Sequence, residues 1–458
     1  MNALLSAVSA DAGTGRPILD AATREVIGHA PVQTVADLDA AIVAASAAQP
    51  AWAALGHAER SRLMRLIADD IDAQAEELGQ IITHEQGKVA GAGEAHGAAH
   101  WLRDTADIVL EPQRIGDGAE LHYVPLGVVA SIGPWNFPVM IAVWHIAPAL
   151  RMGNTLVIKP SENTPLSVLA LIEIFNRHLP EGVVTAVSGD REVGAALASH
   201  PGVAKIVFTG STATGRRIVE SSANNLARLT LELGGNDAGI VLPGTDVDAV
   251  ADKLFWGAFM NTGQVCAALK RLYVHDSVYD EMVAALAERA ASAPMGSGHD
   301  KSNRLGPVQN PSQFDIVSRL VDDARERGAR IVTGGEPAAE LGPLFYRPTI
   351  IADVEDGAAV VDEEQFGPVL PVIRYSDVDD AVRRANGTEQ GLGASVWGAD
   401  ADAAAQVAER LQAGTVWINQ HGGVDPQVPF GGTKASGYGL EFGVEGLKAM
   451  AATKVIRR

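Results

Sequence analysis

Cys266 is the only cysteine of the chain and ends the stretch Asn261-Thr-Gly-Gln-Val-Cys266. A thiolate attacks a carbonyl carbon well, but only when donors stabilise the negative charge that develops on the oxygen. A base is also needed if the covalent adduct is to be hydrolysed. Because a single cysteine is by default a small buried hydrophobic residue, the thiol predicts a nucleophile only if the rest of the sequence supplies these partners.

Asn136 and Glu232 are candidates for the donor and the base. Asn136 lies in Gly133-Pro-Trp-Asn136-Phe-Pro138, where two prolines fix the backbone around an amide that can donate two hydrogen bonds. Glu232 lies in the apolar run Leu229-Thr-Leu-Glu232-Leu-Gly-Gly235, and a carboxyl buried there would have a raised pKa that suits a general base. The alternatives are a rigid turn with core aromatic residues and a solvent-facing residue on an edge strand.

Two further segments could hold a dinucleotide. Phe208-Thr-Gly210-Ser211-Thr-Ala-Thr-Gly215 joins a predicted strand to a predicted helix through two glycines, where helix N-terminal amides can bind phosphate. It does not match G-x-G-x-x-G, so on its own it is a weak signature. Lys159-Pro-Ser-Glu162 ends the preceding strand with a cation and a carboxylate that could bind ribose hydroxyls, although such groups also mark solvated strand ends.

Short apolar runs alternating with amphipathic helices must position these residues. Apolar residues at three- and four-residue steps, from Leu63 through Leu66 to Ile82, predict early helices with one buried face. Strands are predicted at 127–132, 155–159, 183–187, 205–208, 239–242, 330–332, 394–397 and 415–418. Helices are predicted from Thr164 and Pro165 towards His178, and at 192–199, 216–224, 246–259, 278–291 and 312–327. This alternation predicts an α/β fold with a doubly wound, mostly parallel sheet, followed by a second α/β lobe and a cleft between them.

The bulk composition limits the class of partner. The chain has 458 residues, 47% of them hydrophobic, and a net charge of −20, so its surface should repel nucleic acid and anionic membranes. No secretion signal and no run of roughly 18 to 20 apolar residues is present. We therefore expect a cytoplasmic protein that acts on small molecules, and the residues suggest no metal site.

Taken together, the motifs resemble those of the aldehyde dehydrogenase superfamily, in the same order from about residue 15 to the C-terminus. The matching segments are Pro134-Trp-Asn-Phe-Pro138, Lys159-Pro-Ser-Glu162, Phe208-Thr-Gly-Ser-Thr212, Leu231-Glu-Leu-Gly-Gly235, Gly263-Gln-Val-Cys266, Glu363-Glu-Gln-Phe-Gly-Pro368 and Pro429-Phe-Gly-Gly-Thr-Lys-Ala-Ser-Gly437. The resemblance implies a Rossmann-like NAD-binding domain (1–106 and 126–234), a catalytic domain (235–440) and a small β oligomerisation flap (107–125 and 441–458).

The resemblance also implies residue roles. Cys266 corresponds to the nucleophile, its own N–H and Asn136 to the oxyanion hole, Glu232 to the base that activates water, and Glu441 to a proton relay. Residues corresponding to the NAD contacts are Ile132, Pro134, Trp135, Lys159, Ser161, Glu162, Gly189, Phe208, Gly210, Ser211, Gly215, Leu233, Gln313, Glu364 and Phe366. Residues corresponding to the aldehyde pocket are Ile141, Trp144, Val265, Ala267, Val424 and Phe430.

These correspondences predict that a Cys266 thiohemiacetal loses hydride to the nicotinamide and that the resulting thioester is hydrolysed to a carboxylic acid. Glu162 favours NAD over NADP because its charge opposes a 2′-phosphate. The apolar pocket, with Trp144 where semialdehyde-oxidising relatives often have arginine, favours an aromatic or medium-chain uncharged aldehyde. The sequence departs from many relatives at His145, where they have lysine, and at Leu440, where they have arginine.

Other activities remain open at this stage. The alternatives are a semialdehyde or aminoaldehyde dehydrogenase and a CoA-acylating semialdehyde dehydrogenase, although the presence of Glu232 argues against transfer of the acyl group to CoA. A binding protein without activity is disfavoured by Asn136, Glu232 and Cys266 occurring together, and an esterase would not need the cofactor residues. The resemblance further implies a homodimer or homotetramer, with strands in 110–123 and 450–456 that pair across subunits.

Overall fold

The computed structural model describes residues 2–458. Its α-helices are α1 (Ala3–Val8), α2 (Val35–Ala54), α3 (Gly56–Ala73), α4 (Ala75–Gln86), α5 (Ala92–Asp107), α6 (Pro138–Arg151), α7 (Pro165–Asn176), α8 (Arg191–Ser199), α9 (Thr212–Ser222), α10 (Val247–Phe259), α11 (Tyr279–Ser292), α12 (Pro311–Glu326), α13 (Ala359–Asp362), α14 (Val378–Ala385), α15 (Ala401–Ala408) and α16 (Gly443–Ala449).

Its strands are β1 (Arg16–Leu19), β2 (Val26–Ala30), β3 (Gln113–Ile115), β4 (Ala119–Pro125), β5 (Val128–Ile132), β6 (Thr155–Lys159), β7 (Val184–Ala186), β8 (Lys205–Thr209), β9 (Arg228–Glu232), β10 (Asp237–Val241), β11 (Leu269–His275), β12 (Arg330–Thr333), β13 (Thr349–Ala352), β14 (Val369–Tyr375), β15 (Gln390–Gly391), β16 (Gly393–Trp397), β17 (Thr415–Ile418), β18 (Thr433–Lys434), β19 (Gly437–Tyr438) and β20 (Ala451–Arg457).

The first large sheet has the strand order β19-β9-β8-β5-β6-β7, and β5 to β9 run parallel. Successive residues of β5 point to opposite faces: Val128 packs with α2 and α8, and Val129 packs with α6 and α7. Both faces are therefore covered, which explains the uninterrupted apolar strands. The chain starts at β5, builds one side through β7 and returns to the other side at β8. This reversal places a ligand crevice at the carboxyl ends of β5 and β8.

The second large sheet has the order β12-β13-β14-β11-β10-β16-β17, with only β12 antiparallel to its neighbour. Its first strand, β10, begins at Asp237, a few residues after β9 ends at Glu232. The connection is so short that the amino edge of the second sheet lies beside the carboxyl edge of the first. The predicted α/β class with two lobes is confirmed.

A buried acidic side chain caps the start of α7 in the first lobe. Thr164 precedes α7, as predicted, but its side chain makes no capping hydrogen bond. The buried Glu85 carboxylate instead accepts from the N–H groups of Leu166 (2.6 Å) and Ser167 (2.8 Å). Burial raises the pKa of Glu85 to about 7, although the bonds from Ser167 oppose the shift.

The early apolar pattern forms two helices instead of one continuous element, because α3 ends at Ala73 and α4 starts at Ala75. Ile67 and Ile71 are buried as predicted, but Leu66 is 39% exposed. Leu66 directly precedes Ile67 and points about 100° away from it on the helix, towards the solvent side.

The two segments predicted to pair across subunits form strands, but they pair within one chain. β20 lies antiparallel to β4, and β4 to β3. Part of the predicted flap, 443–449, is the helix α16. The short strand β19, from within the predicted catalytic range 235–440, pairs antiparallel with β9 of the first sheet. The domain boundaries and the pairing across subunits stay predictions.

No single helix within residues 2–458 is long and apolar enough to cross a membrane. The bent pair α2 and α3 meets the length and composition limits only when its two helices are taken together.

Candidate active site

Cys266 follows a turn of unusual backbone conformation. Asn261, Thr262 and Gly263 have φ of 53°, 59° and 73°, in the left-handed region that a β-branched residue such as threonine rarely adopts. The Thr262 hydroxyl donates to Gly306 O and accepts from Gly306 N, both at 3.1 Å. The surrounding structure thus fixes a strained turn, of the kind found at functional sites.

Asn136 lies two residues before the start of α6, and its side-chain Nδ2 donates to Gln264 O at 3.0 Å. A buried ion pair supports its backbone, because Lys88 pairs with Glu94 and also donates to Asn136 O at 2.9 Å. Glu94 in turn accepts from the N–H of Val139 at 2.9 Å. The amide is therefore held against the Cys266 turn, with one N–H of its NH2 group free of that bond.

Glu232 is the last residue of β9 and only 4% exposed. Neither carboxylate oxygen has a hydrogen-bond partner within residues 2–458. Burial, followed by repulsion from Glu441, raises the pKa of Glu232 well above its usual range. Burial, with Glu232 the largest charge effect after it, also raises the pKa of the Cys266 thiol.

A cavity of about 250 Å³ brings three of the four predicted catalytic residues together, since Asn136, Glu232 and Cys266 line it and Glu441 does not. An adjoining cavity of about 610 Å³ shares Pro134, Trp135, Thr209, Gly210 and Ser211 with it. The two form one cleft across the carboxyl ends of β5, β6 and β8. Other predicted cofactor residues along the cleft are Ile132, Lys159, Ser161, Glu162, Phe208, Leu233, Gln313, Glu364 and Phe366.

Two predicted cofactor residues do not line this cleft. Gly215 lies in α9, and a Cβ there would come within 2.6 Å of Leu233 Cδ2, so this glycine permits close packing of the helix on the strand end. A Cβ at Gly189 would come within 2.5 Å of Val193.

Sequence reasoning did not identify Arg191, Arg217 and Ile316, which also line the cleft. Both arginines lie near the starts of predicted helices, and this position could have indicated that they face a phosphate-binding cleft.

The polar groups of the cleft fit a dinucleotide. Ser211 caps α9 by accepting from Thr214 N at 3.3 Å, so the helix N-terminus faces the crevice at the switch point of the sheet. Lys159 Nζ lies 2.8 Å from Glu162 Oε1 at the outer end. At the inner end, Glu364 accepts from Gly235 N at 3.2 Å. The N-terminus of α9, which could bind phosphate, thus lies between two groups able to bind sugar hydroxyls.

A family model described as "Aldehyde dehydrogenase family" matches residues 8–456. The chain belongs to the aldehyde dehydrogenase family. It is therefore an oxidoreductase that acts on aldehydes, as the sequence motifs predicted.

Curated relatives span nearly its whole length. Phenylacetaldehyde dehydrogenase of Pseudomonas fluorescens is 38% identical over 457 residues, covering 95% of this chain and 91% of the relative. Betaine aldehyde dehydrogenase of Rhizobium etli is 37% identical over 456 residues, covering 97% and 94%.

Among solved structures, a mutant aldehyde dehydrogenase C from Pseudomonas syringae, in complex with NAD+ and octanal, has a TM-score of 0.93 at 35% identity. The match covers 97% of this chain and 93% of that one. The predicted aldehyde dehydrogenase fold is confirmed.

An aromatic cluster lies in a hydrophobic core of this aldehyde dehydrogenase, and none of its described rings lines the cavity of Cys266. Ring centroids of Trp144 are 5.3 Å from Trp101 and 4.8 Å from Phe442, and Phe430 is 5.9 Å from Phe442. Cys266 packs against the same core. Trp101 was missed from sequence because it is distant in the chain from the recognised motifs, and Phe442 was missed although it directly follows Glu441.

The other predicted pocket residues differ in exposure. Ile141 and Ala267 are buried, Val265 is half-buried, and Val424 is 37% exposed. Val424 therefore lies nearer the surface than the rest of the predicted pocket.

Glu441 belongs to a buried polar network, and its charge acts on Glu232. Its Oε1 lies 3.4 Å from Nε2 of His145. His145 also contacts the hydroxyls of Ser131 (2.8 Å) and Thr209 (3.0 Å). The substituted position His145 thus lies next to Glu441, and Thr209 connects the network to the cleft.

Proposed function

We propose that this aldehyde dehydrogenase oxidises an uncharged aldehyde to a carboxylic acid with NAD, through a thiohemiacetal and a thioester on Cys266. The observation that carries the proposal is the common cavity of Asn136, Glu232 and Cys266 at the inner end of the dinucleotide cleft. The residues supply a nucleophile, an oxyanion donor and a base, which are the three groups required by hydrolytic acyl chemistry.

The first step is addition of the Cys266 sulfur to the aldehyde carbon. Because the pKa of the thiol is raised, the thiolate is the minor form at neutral pH and its fraction increases with pH. The free N–H of Asn136 and the Cys266 backbone N–H then donate to the developing alkoxide. Donors fixed in advance in a buried cavity stabilise this charge more strongly than mobile water does.

The alkoxide electron pair re-forms the carbonyl as the former aldehyde hydrogen leaves as hydride. NAD, when bound, supplies the acceptor of that hydride. The acyl group then remains on Cys266 as a thioester, because the sulfur–carbon bond stays intact.

Glu232 then acts on water. A carboxylate with a raised pKa is a stronger base than an exposed one, and neither of its oxygens is occupied by another donor. It accepts a proton as water attacks the thioester, and the carboxylic acid is released with the Cys266 thiolate restored. Because Glu232 can activate water, we expect hydrolysis of the thioester and not transfer of the acyl group to CoA.

The cofactor residues favour NAD over NADP. Glu162 lies where the adenosine ribose is expected and its negative charge opposes a 2′-phosphate. Lys159, Arg191 and Arg217 line the same end, and their positive charges reduce this preference. NAD+ in the related complex from Pseudomonas syringae supports NAD as the cofactor.

The aromatic cluster favours an aromatic or medium-chain apolar aldehyde. Trp101, Trp144, Phe430 and Phe442 form a largely buried apolar cluster, with no guanidinium among them to bind a distal carboxylate. Phenylacetaldehyde for one relative and bound octanal for another agree with this class. The betaine aldehyde relatives support the second candidate, an aminoaldehyde, because aromatic rings also bind cationic ammonium groups.

The protein would act as a homodimer or homotetramer in the cytoplasm, with the sheet β3, β4 and β20 contributing to the subunit contact. Exposed apolar residues on this sheet, among them Ile115 and Val455, support such a contact.

The test is NADH formation with a panel of phenylacetaldehyde, octanal, betaine aldehyde and succinate semialdehyde, with and without CoA. We expect CoA-independent NADH formation that is absent in Cys266→Ala and a kcat/KM for the uncharged aldehydes well above that for the semialdehyde. NADH formation that requires CoA would contradict hydrolysis, and a preference for succinate semialdehyde would contradict the substrate class.

A further inference from the structure

Three potential metal ligands converge at a place distant from the active-site cleft. Asp20 Oδ2 lies 2.6 Å from His84 Nδ1, and His84 Nδ1 lies 3.2 Å from His299 Nε2. All three ligand atoms lie within 4.8 Å of one another. None of these residues lines the cofactor cleft or touches the Cys266 cavity.

The single hydrogen or lone pair of His84 Nδ1 must serve both Asp20 and His299. An imidazole Nδ1 carries either one hydrogen or one lone pair. If His84 Nδ1 donates its proton to Asp20, it has no lone pair left for a donor on His299. A single divalent cation can accept a lone pair from each of the three atoms at once, which makes the convergence chemically consistent.

The orientation of the ligands suits such an ion. Asp20 Oδ1 is fixed by the N–H groups of Ala22 (2.7 Å) and Thr23 (2.9 Å), which leaves Oδ2 directed at His84. Ligands around a tetrahedral zinc ion, each about 2.0 to 2.1 Å from the metal, lie about 3.4 Å apart. The three side chains reach this spacing by movements of less than about 1 Å. Such movements are feasible because His84 and His299 are partly solvent-accessible.

The three residues come from separate parts of the chain. Asp20 lies in the turn between β1 and β2, His84 in the last turn of α4, and His299 in the segment between α11 and α12. This last segment also contains Gly306, which holds the strained Thr262 before Cys266. An ion bound here would therefore tie the first lobe to the segment that supports the nucleophile turn.

We propose that Asp20, His84 and His299 form a binding site for one zinc-like divalent transition-metal ion that links the two lobes. Two imidazole nitrogens and one carboxylate are a ligand set for borderline metals such as Zn²⁺, whereas Mg²⁺ and Ca²⁺ prefer all-oxygen sites. Water completes the coordination on the exposed side. Because none of the three residues takes part in the proposed catalysis, the metal site and the catalytic proposal can be tested separately.

The test is calorimetric titration of ZnCl2 into the untagged full-length protein, previously freed of metal with a chelator. The protein carries Cys266→Ala, so that the active-site thiol does not bind zinc. We expect one Zn²⁺ per chain and a rise in the unfolding temperature that the chelator reverses, with no such rise for MgCl2. His84→Ala and His299→Ala should each weaken zinc binding by more than about tenfold.

His96→Ala is the matched control, because His96 also contacts a carboxylate, Asp72 at 2.7 Å, but no second histidine lies in the cluster. It should bind zinc as the parent does. Visible absorption of bound Co²⁺, lost in His84→Ala and kept in His96→Ala, would give independent support and does not depend on stability. Absence of stoichiometric binding, or binding that survives both His84→Ala and His299→Ala, would overturn the proposal.

Discussion

Replacing Glu232 by glutamine separates the two halves of the proposed reaction. Neither carboxylate oxygen has a hydrogen-bond partner among the described residues, so the isosteric exchange breaks no hydrogen bond of the folded chain. It also replaces a buried ionisable group by a neutral one, which removes a desolvation penalty. We therefore expect Glu232→Gln to fold normally and to lose only proton acceptance.

The magnitude follows from the role of the base. A positioned general base contributes about 10²- to 10⁴-fold, or roughly 2.7 to 5.5 kcal/mol of barrier. Burial raises the pKa of Glu232, so its carboxylate is a strong acceptor and the loss should be near the upper part of that range. Since addition to the aldehyde and hydride loss precede water attack, the first turnover should keep a rate close to that of the parent.

Rapid mixing with NAD and an aldehyde measures both the rate of the first turnover and the steady-state rate. The variant should show a burst of about one NADH per active site, followed by a steady-state rate lower by about 10²- to 10⁴-fold. Mass spectrometry of the quenched protein should find the acyl group on the peptide that contains Cys266. An equal loss in the burst and in the steady state, with no acyl adduct, would refute the assignment of Glu232 to thioester hydrolysis.

Three further variants test the surroundings of the site. Glu441→Gln removes a negative charge that raises the pKa of Glu232, so the acid limb of the kcat–pH profile should move to lower pH, and an unmoved limb would contradict the coupling. Thr262→Val keeps the side-chain shape but loses both hydrogen bonds, so the urea midpoint should fall by the equivalent of about 1 to 3 kcal/mol, whereas Thr262→Ser should retain most stability. Lys88→Met leaves Glu94 buried without its cation and should cost about 3 to 5 kcal/mol in the same assay; no recovery in Lys88→Met/Glu94→Gln would contradict this explanation.

Strands covered on both faces were predictable because their sequences are apolar throughout. β6 occurs exactly where the run Thr155–Lys159 predicted it, and β17 where Thr415–Ile418 did. The catalytic cavity was predictable for a different reason: its residues lie in short motifs at strand ends, and parallel strands bring their ends together. By contrast, β11, β13 and β14 were not identified, although they form the centre of the second sheet.

The supporting contacts were not predictable from local patterns. Lys88, in the loop after α4, and Glu94, in α5, support the Asn136 segment from more than 40 residues earlier. An isolated Lys and Glu in a sequence usually indicate a solvated surface. His145 was recognised only as a substitution, and its position beside Glu441 depends on a contact between distant segments. Periodicity describes one element at a time, so it cannot show which side chains of different elements meet.

Pairing of β19 with β9 and of β20 with β4 has a consequence for synthesis of the chain on the ribosome. Each early strand is complete long before its partner emerges, because the partners are among the last residues translated. Until then β9 and β4 have exposed edges that can pair with other nascent chains. The nascent enzyme is therefore most prone to aggregation late in translation, and a nonsense codon that removes only the final segment would release a nearly complete protein with both edges exposed.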